Sequence, residues 1–303
     1  MMNEMIKKQR FGVEIEMNHM ARTQAQRIVA EVLGSTQIGH EPSYDNYYVI
    51  DNKGRKWKCE SDGSISGSND QATELVTPVL EYEDIELLQN VIRALRNGGA
   101  KTDSSCGIHI HVDGANHTPA SLERLVNFMI ARQDLIYESL QIGTRANRWC
   151  KRLNKELLVA MKKQRNLTKS SLEMIWYSSA NDGYSNGIDH QHYNQTRYHG
   201  VNLHAFFTKG TVEFRLFNST LHAGKVKAYI QFCLALSGWA ITSSDKIVFR
   251  SMANYTADQK VTIMRNILTN RLGLFGAEFK TCRLHLMNPL KEAAGRTIRE
   301  QAA

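Results

Sequence analysis

The chain has 303 residues, 42% apolar and 22% charged, enough for one large domain with an ample core. No run approaches the roughly 18 apolar residues that a membrane helix needs, and "MMNEMIKKQRFGVEIEM" lacks the apolar stretch of a signal peptide, so a cytoplasmic protein without a membrane span is expected. Net charge is +8, and the five scattered cysteines, none in CxxC spacing, read as reduced thiols.

In chain order, strands are expected at residues 10–17, 47–51, 56–60, 73–77, 107–113, 198–206 and 211–217, with "DNKGRK" as a hairpin-type turn between the second and third. Helical apolar spacing marks residues 22–33 and 82–97, the second stopped by Gly98 and Gly99. "HTPASLERLVNFMIARQDLIYESL" is the clearest helix: Thr118 caps it, Pro119 takes its first turn, and Leu122, Leu125, Val126, Met129 and Ile130 form its stripe. Another apolar helix runs from about 226 to 241. A capping box at Thr256 and Gln259 opens a helix that ends at Gly273. The class is therefore α+β: a mostly antiparallel sheet with helices on one face. A single domain spans residues 1–303, with 245–303 a helical C-terminal extension packed on it.

Two segments fall outside this scheme. Residues 145–169 carry nine basic side chains against one acid, Glu156, and read either as a solvated helical face or as a contact for a polyanion. Residues 178–197 form a long polar loop, expected to lie over a site.

The chemistry is concentrated in three strands. In "RFGVEIEM", Glu14 and Glu16 share a face opposite Phe11, Val13, Ile15 and Met17. "CGIHIHVD" sets His109, His111 and Asp113 opposite Ile108, Ile110 and Val112. "GTVEFRLF" sets Glu213 and Arg215 opposite Val212, Phe214 and Leu216. Clustered carboxylates with histidine suit Mg²⁺ or Mn²⁺, which cancels their mutual repulsion, and an arginine among them suits a phosphate meeting the metal. There is no Walker loop and no GxGxxG, so a nucleotide would be held by the sheet rather than by a helix N-terminus. The histidines His190, His192, His199 and His204 fit no standard zinc spacing.

The order "FGVEIE", "WKCESDGSI", "TELVTP", "SCGIHIHVD", "RYHGVNLH", "GTVEFRLFNSTL" resembles the amidoligase family, related to glutamine synthetase and glutamate–cysteine ligase, over about residues 10–240. The resemblance implies a glutamine-synthetase-like fold, a curved antiparallel sheet forming a funnel, with ATP and the carboxylate entering opposite ends and divalent metals between. It implies metal ligands at Glu14, Glu16, Glu74, His109 and Glu213, with Asp62 a further candidate. It makes Arg215 the arginine that meets the transferring phosphoryl group, with Arg197 and Asn202 in the segment that holds phosphate or carboxylate. His111 falls on the substrate side, and His204 beside the site. A recognisable N-terminal β-grasp domain and the ammonium and glutamate loops of glutamine synthetase are not visible, which points to another amine acceptor.

The function expected is an ATP- and Mg²⁺-dependent (or Mn²⁺-dependent) ligase that joins a carboxylate to an amine through an acyl phosphate. The substrates would be small molecules, peptides or protein side chains, with Arg215, Arg197 and Glu16 as the catalytic set. The competing readings are a metal-dependent hydrolase built on the His-x-His strand and a non-catalytic binding protein that uses residues 145–169. Oligomeric state is open.

Overall fold

The computed structural model describes residues 2–42, 45–179, 187–245, 247–249 and 251–295. Of the expected loop 178–197, residues 180–186 lie outside this set. In chain order the elements are α1 (Met2–Lys8), β1 (Phe11–Met17), α2 (Arg22–Leu33), β2 (Ile38–Glu41), β3 (Asn46–Ile50), β4 (Lys56–Glu60), β5 (Thr73–Val76), α3 (Ile85–Asn97), β6 (Gly107–Asp113), α4 (Pro119–Leu140), α5 (Lys155–Lys163), α6 (Lys169–Ser179), β7 (Val201–Asn202), α7 (His204–Lys209), β8 (Thr211–Asn218), α8 (Ala223–Thr242), α9 (Ala257–Asn266) and α10 (Lys280–Ala293).

The strands make one eight-stranded sheet in the order β2-β3-β4-β5-β1-β6-β8-β7. Every pairing is antiparallel. Alternation then sorts the side chains. Val13, Ile15, Ile108, Ile110, Val212, Phe214, Trp57, Cys59 and Leu75 are all buried in the core, and α2, α4 and α8 contact this sheet. A bulge interrupts the pattern in β8: Ile108 pairs with Phe217 but Ile110 with Phe214. The shift turns Phe217 onto Tyr229 of α8, their rings stacked at 4.3 Å. The bulge thus re-aims Phe217. Leu216, expected on the helix-packed face with Phe214, instead lies against the backbone of Gly200.

One expected strand is overturned. Of residues 198–206, Val201–Asn202 pair with β8, and His199 makes only an isolated bridge to Lys151. The Asn202 side chain accepts the His204 N–H at 2.8 Å and so starts α7 there, and Gly210, at φ 73°, ends it. His204 therefore opens a helix and does not sit on a strand. The caps at Thr118 and Thr256 form as expected.

Candidate active site

Register brings the ionisable side chains together on the open face. Glu14 lies opposite His109, and Glu16 opposite Glu74. His111 lies opposite Glu213, which in turn faces Asn202. Glu60 continues the row beyond Glu74. The result is a compact ionic cluster. His109 Nδ1 is 2.9 Å from Glu14 and its Nε2 is 3.6 Å from Glu16. His111 Nε2 is 3.2 Å from Glu14 and 3.8 Å from Glu213. Arg215 donates to Glu213 Oε1 at 2.6 Å, and the Asn202 amide donates to its Oε2 at 2.5 Å. The Gly107 N–H donates to Glu16 at 2.6 Å.

Two groups have ligand atoms within 4.8 Å of one another: Glu14, His109 and Glu213, and Glu16, Glu74 and His109. His109 belongs to both. A neutral imidazole has one lone pair, so the ring serves one group at a time, according to its tautomer.

Electrostatics separates the two groups. Burial pushes Glu213 up, but Arg215, His111 and His109 outweigh it and hold the carboxyl at about 2. Burial likewise opposes ionisation of Glu14, and His111 and His109 overcome it, so Glu14 falls well below its ordinary value. In the other row burial prevails, at Glu16 over the Gly107 N–H, Arg145 and Arg215. Burial and Asp62 raise Glu16 to about 7. Burial together with Glu14, Glu16, Asp62 and Glu60 raises Glu74 well above its usual range. Burial, then Arg215, keeps His109 neutral, at about 4.

The residues present fit a divalent cation. The Nε2 atoms of both His109 and His111 are buried without a hydrogen-bond partner among the described residues. His109 Nε2 faces the Glu16 and Glu74 carboxyls, neither of which has a lysine or arginine in ion-pair contact among the described residues. Oxygen donors with one imidazole nitrogen suit Mg²⁺ or Mn²⁺.

This cluster lines a cavity of about 590 Å³. The lining is also cationic and aromatic, with Lys58, Arg145, Arg197, Lys209 and Arg215 beside Trp149, Tyr193 and Tyr198. Asp62 lines the cavity too, its carboxylate accepting the Ser64 N–H at 2.6 Å. Arg197 donates to the His192 carbonyl at 2.7 Å. His111 borders a second cavity of about 370 Å³ on the far side of Glu14, next to residues 76–79. His204 lies off the main cavity, in a side pocket of about 200 Å³ that Asn202 also lines. Its Nδ1 meets the Tyr177 hydroxyl at 2.7 Å. Asn202 spends its amide within the protein, on Glu213 and on the start of α7. Asp113 stands apart, paired with Arg10 at 2.5 Å.

Lys58, Glu60, Tyr198 and Lys209 are cavity residues that the sequence does not single out, whereas Arg145 and Trp149 stand in its basic segment. Lys58 and Glu60 obey the same alternation in "KWKCE", with Trp57 and Cys59 turned to the core. Arg145 was read as part of a basic surface, but it is 6% exposed. The outward basic face is carried by Lys155, Lys162, Lys163, Arg165 and Lys169.

Residues 7–237 match the family described as "Putative amidoligase enzyme". The chain belongs to the amidoligase family. No curated protein matches the chain. A solved structure, a bifunctional glutathione synthetase from Pasteurella multocida, shares 14% identity at a TM-score of 0.43, with 98% of this chain and 49% of that chain covered. The chain thus spans about half the length of that synthetase, and a likeness at that level bears on neither substrate nor chemistry. Among its described residues, no helix is long and apolar enough to cross a membrane.

Proposed function

We propose that this protein is an ATP- and Mg²⁺-dependent ligase that joins a carboxylate to an amine. One observation carries the reading. A row of buried carboxyls with no lysine or arginine in ion-pair contact among the described residues, Glu16 and Glu74, shares a cavity with Lys58, Arg197, Lys209 and Arg215. Such a cavity suits a polyphosphate that arrives with its metal. The open antiparallel sheet, with its cluster on one face, accords with a glutamine-synthetase-like funnel.

A divalent ion held by Glu16, Glu74 and His109 would supply positive charge to phosphate oxygens. The protein's own groups do the rest. Glu213 fixes the Arg215 guanidinium from below, so its remaining donors are pre-aimed at a phosphoryl group. The substrate carboxylate would attack the γ-phosphorus as the β–γ bridge bond breaks and ADP leaves. The amine would then attack the acyl carbon and expel phosphate, with its surplus proton passing to a cavity carboxylate. Cytoplasmic location and the contact of residues 145–169 with a polyanion are parts of the same proposal.

The test is ATP turnover with Mg²⁺ over a matrix of acids and amines, read by mass spectrometry for product formed with loss of water. Turnover should need both partners. Glu14→Gln and Glu16→Gln should each reduce it by at least about 100-fold while the melting curve stays cooperative. Full activity in both variants removes the metal assignment, and hydrolysis without ATP replaces the ligase with a hydrolase.

A further inference from the structure

We propose that Arg145 is an oxyanion-binding residue of this cavity, a guanidinium reserved for a phosphate or carboxylate group of the substrates. The inference deepens the ligase reading and rests on it for what those substrates are.

Arg145 sits in the short turn at residues 143–147, and it is buried. Its partners are neutral. Nη1 reaches the Ser105 carbonyl at 3.3 Å, the side chain meets the Cys150 thiol, and Nε has no partner. The other buried arginine among the described residues, Arg215, is paired with Glu213 at 2.6 Å. No carboxylate among the described residues comes within ion-pair distance of Arg145. An arginine cannot shed its proton to escape this, and a buried unpaired charge is costly. The fold nevertheless makes room for it. A Cβ on Gly107 would lie 2.2 Å from Arg145 Nη2, so the guanidinium packs flat on a strand residue that has no side chain. It lines the same cavity as Glu16, Asp62, Ser64 and Ser105. The guanidinium acts on Glu16 through space without pairing with it, so its donors stay open to an anion, and substrate phosphates and carboxylates are the anions the cavity is built to admit.

Thermal melts of the full chain with Mg²⁺ provide the test. Probes are ATP, tripolyphosphate, inorganic phosphate, succinate and glutamate, applied to wild type, Arg145→Met and Arg145→Lys. Without ligand, Arg145→Met should melt at or above wild type, because an unpaired buried charge has gone. Its apparent Kd for the anion should rise by about 10- to 100-fold, with partial recovery in Arg145→Lys. A loss confined to ATP and the phosphates assigns the oxyanion to phosphate, and a loss confined to succinate or glutamate assigns it to the carboxylate. A Met variant that melts lower and binds every probe like wild type overturns the inference and leaves the ligase standing. Wild type that binds tripolyphosphate but not ATP, with the loss in Arg145→Met, sinks the ATP reading and keeps Arg145. Wild type that binds none of the probes sinks both.

Discussion

Gly107 joins the two halves of the cavity. Its N–H holds Glu16, and its missing side chain admits Arg145. A methyl group there would cost about 1–3 kcal/mol if the arginine held its place. The guanidinium is the far end of a long chain, so it should swing away instead. Gly107→Ala is thus expected to melt within a few degrees of wild type yet lose the anion response as Arg145→Met does. The double variant should bind no more weakly than either single one, as for residues acting through one contact. Additive losses, measured as apparent Kd, would show that Gly107 acts on its own. Much at this scale was legible in sequence: alternation alone put Glu14, Glu16, His109, His111 and Glu213 on one kind of face. What alternation cannot carry is which strand lies next to which. Glu16 meets Glu74, and Arg145 meets Gly107, only because the sheet runs β5-β1-β6-β8 and a distant turn folds back over it.

Elements that obey one strong period were readable, and those decided by a single tertiary bond were not. "RYHGVNLH" alternates like a strand, but the Asn202 side chain accepts the His204 N–H and the alternation ends there. The short, polar β2, "IGHE", offers no apolar face. The helix layer also hides a polar node. The His117 ring meets Ser121 of α4 at 3.0 Å and Ser237 of α8 at 2.9 Å, and Ser237 donates to Gln9 after α1. Burial, then the charge of Arg124, lowers His117 from 6.5 to about 4. Between those values the unfolded chain binds more protons than the native one. The node's stability is therefore complete above pH 6.5 and is lost as pH falls toward 4, by about 3 kcal/mol for a shift of this size. His117→Gln should flatten that part of the pH dependence. Denaturant midpoints at pH 7 and pH 5 for both proteins measure it, and equal pH slopes would exclude His117 as the source.

At the scale of the whole molecule, the family match stops at residue 237, inside α8, but the core does not. α10 packs on α8, α4 and α9. Cys282, Leu286, Met287 and Leu290 are buried along it, and the Ser139 hydroxyl of α4 donates to the Leu286 carbonyl. Glu278, just before α10, accepts the Tyr82 hydroxyl at 2.8 Å. Pro289, a residue that ordinarily breaks helices, sits inside this one, so the apolar stripe was hard to extend from sequence. Each buried apolar side chain contributes about 1.5–3 kcal/mol. Four of them in α10 alone approach the about 5–15 kcal/mol that a domain holds in total. A chain cut to residues 1–244 keeps every candidate ligand and all eight strands, yet it should lose its cooperative melt and bind a hydrophobic dye. Leu290→Ala in the full chain should cost about 2–5 kcal/mol. Circular dichroism and denaturant titration read both. A cooperative 1–244 with wild-type stability would mean that α9 and α10 are an appendage. The expected failure would mean that the sheet is held in register from behind by residues outside the family match: α8 stacks on Phe217 just past Arg215, and α10 backs α8.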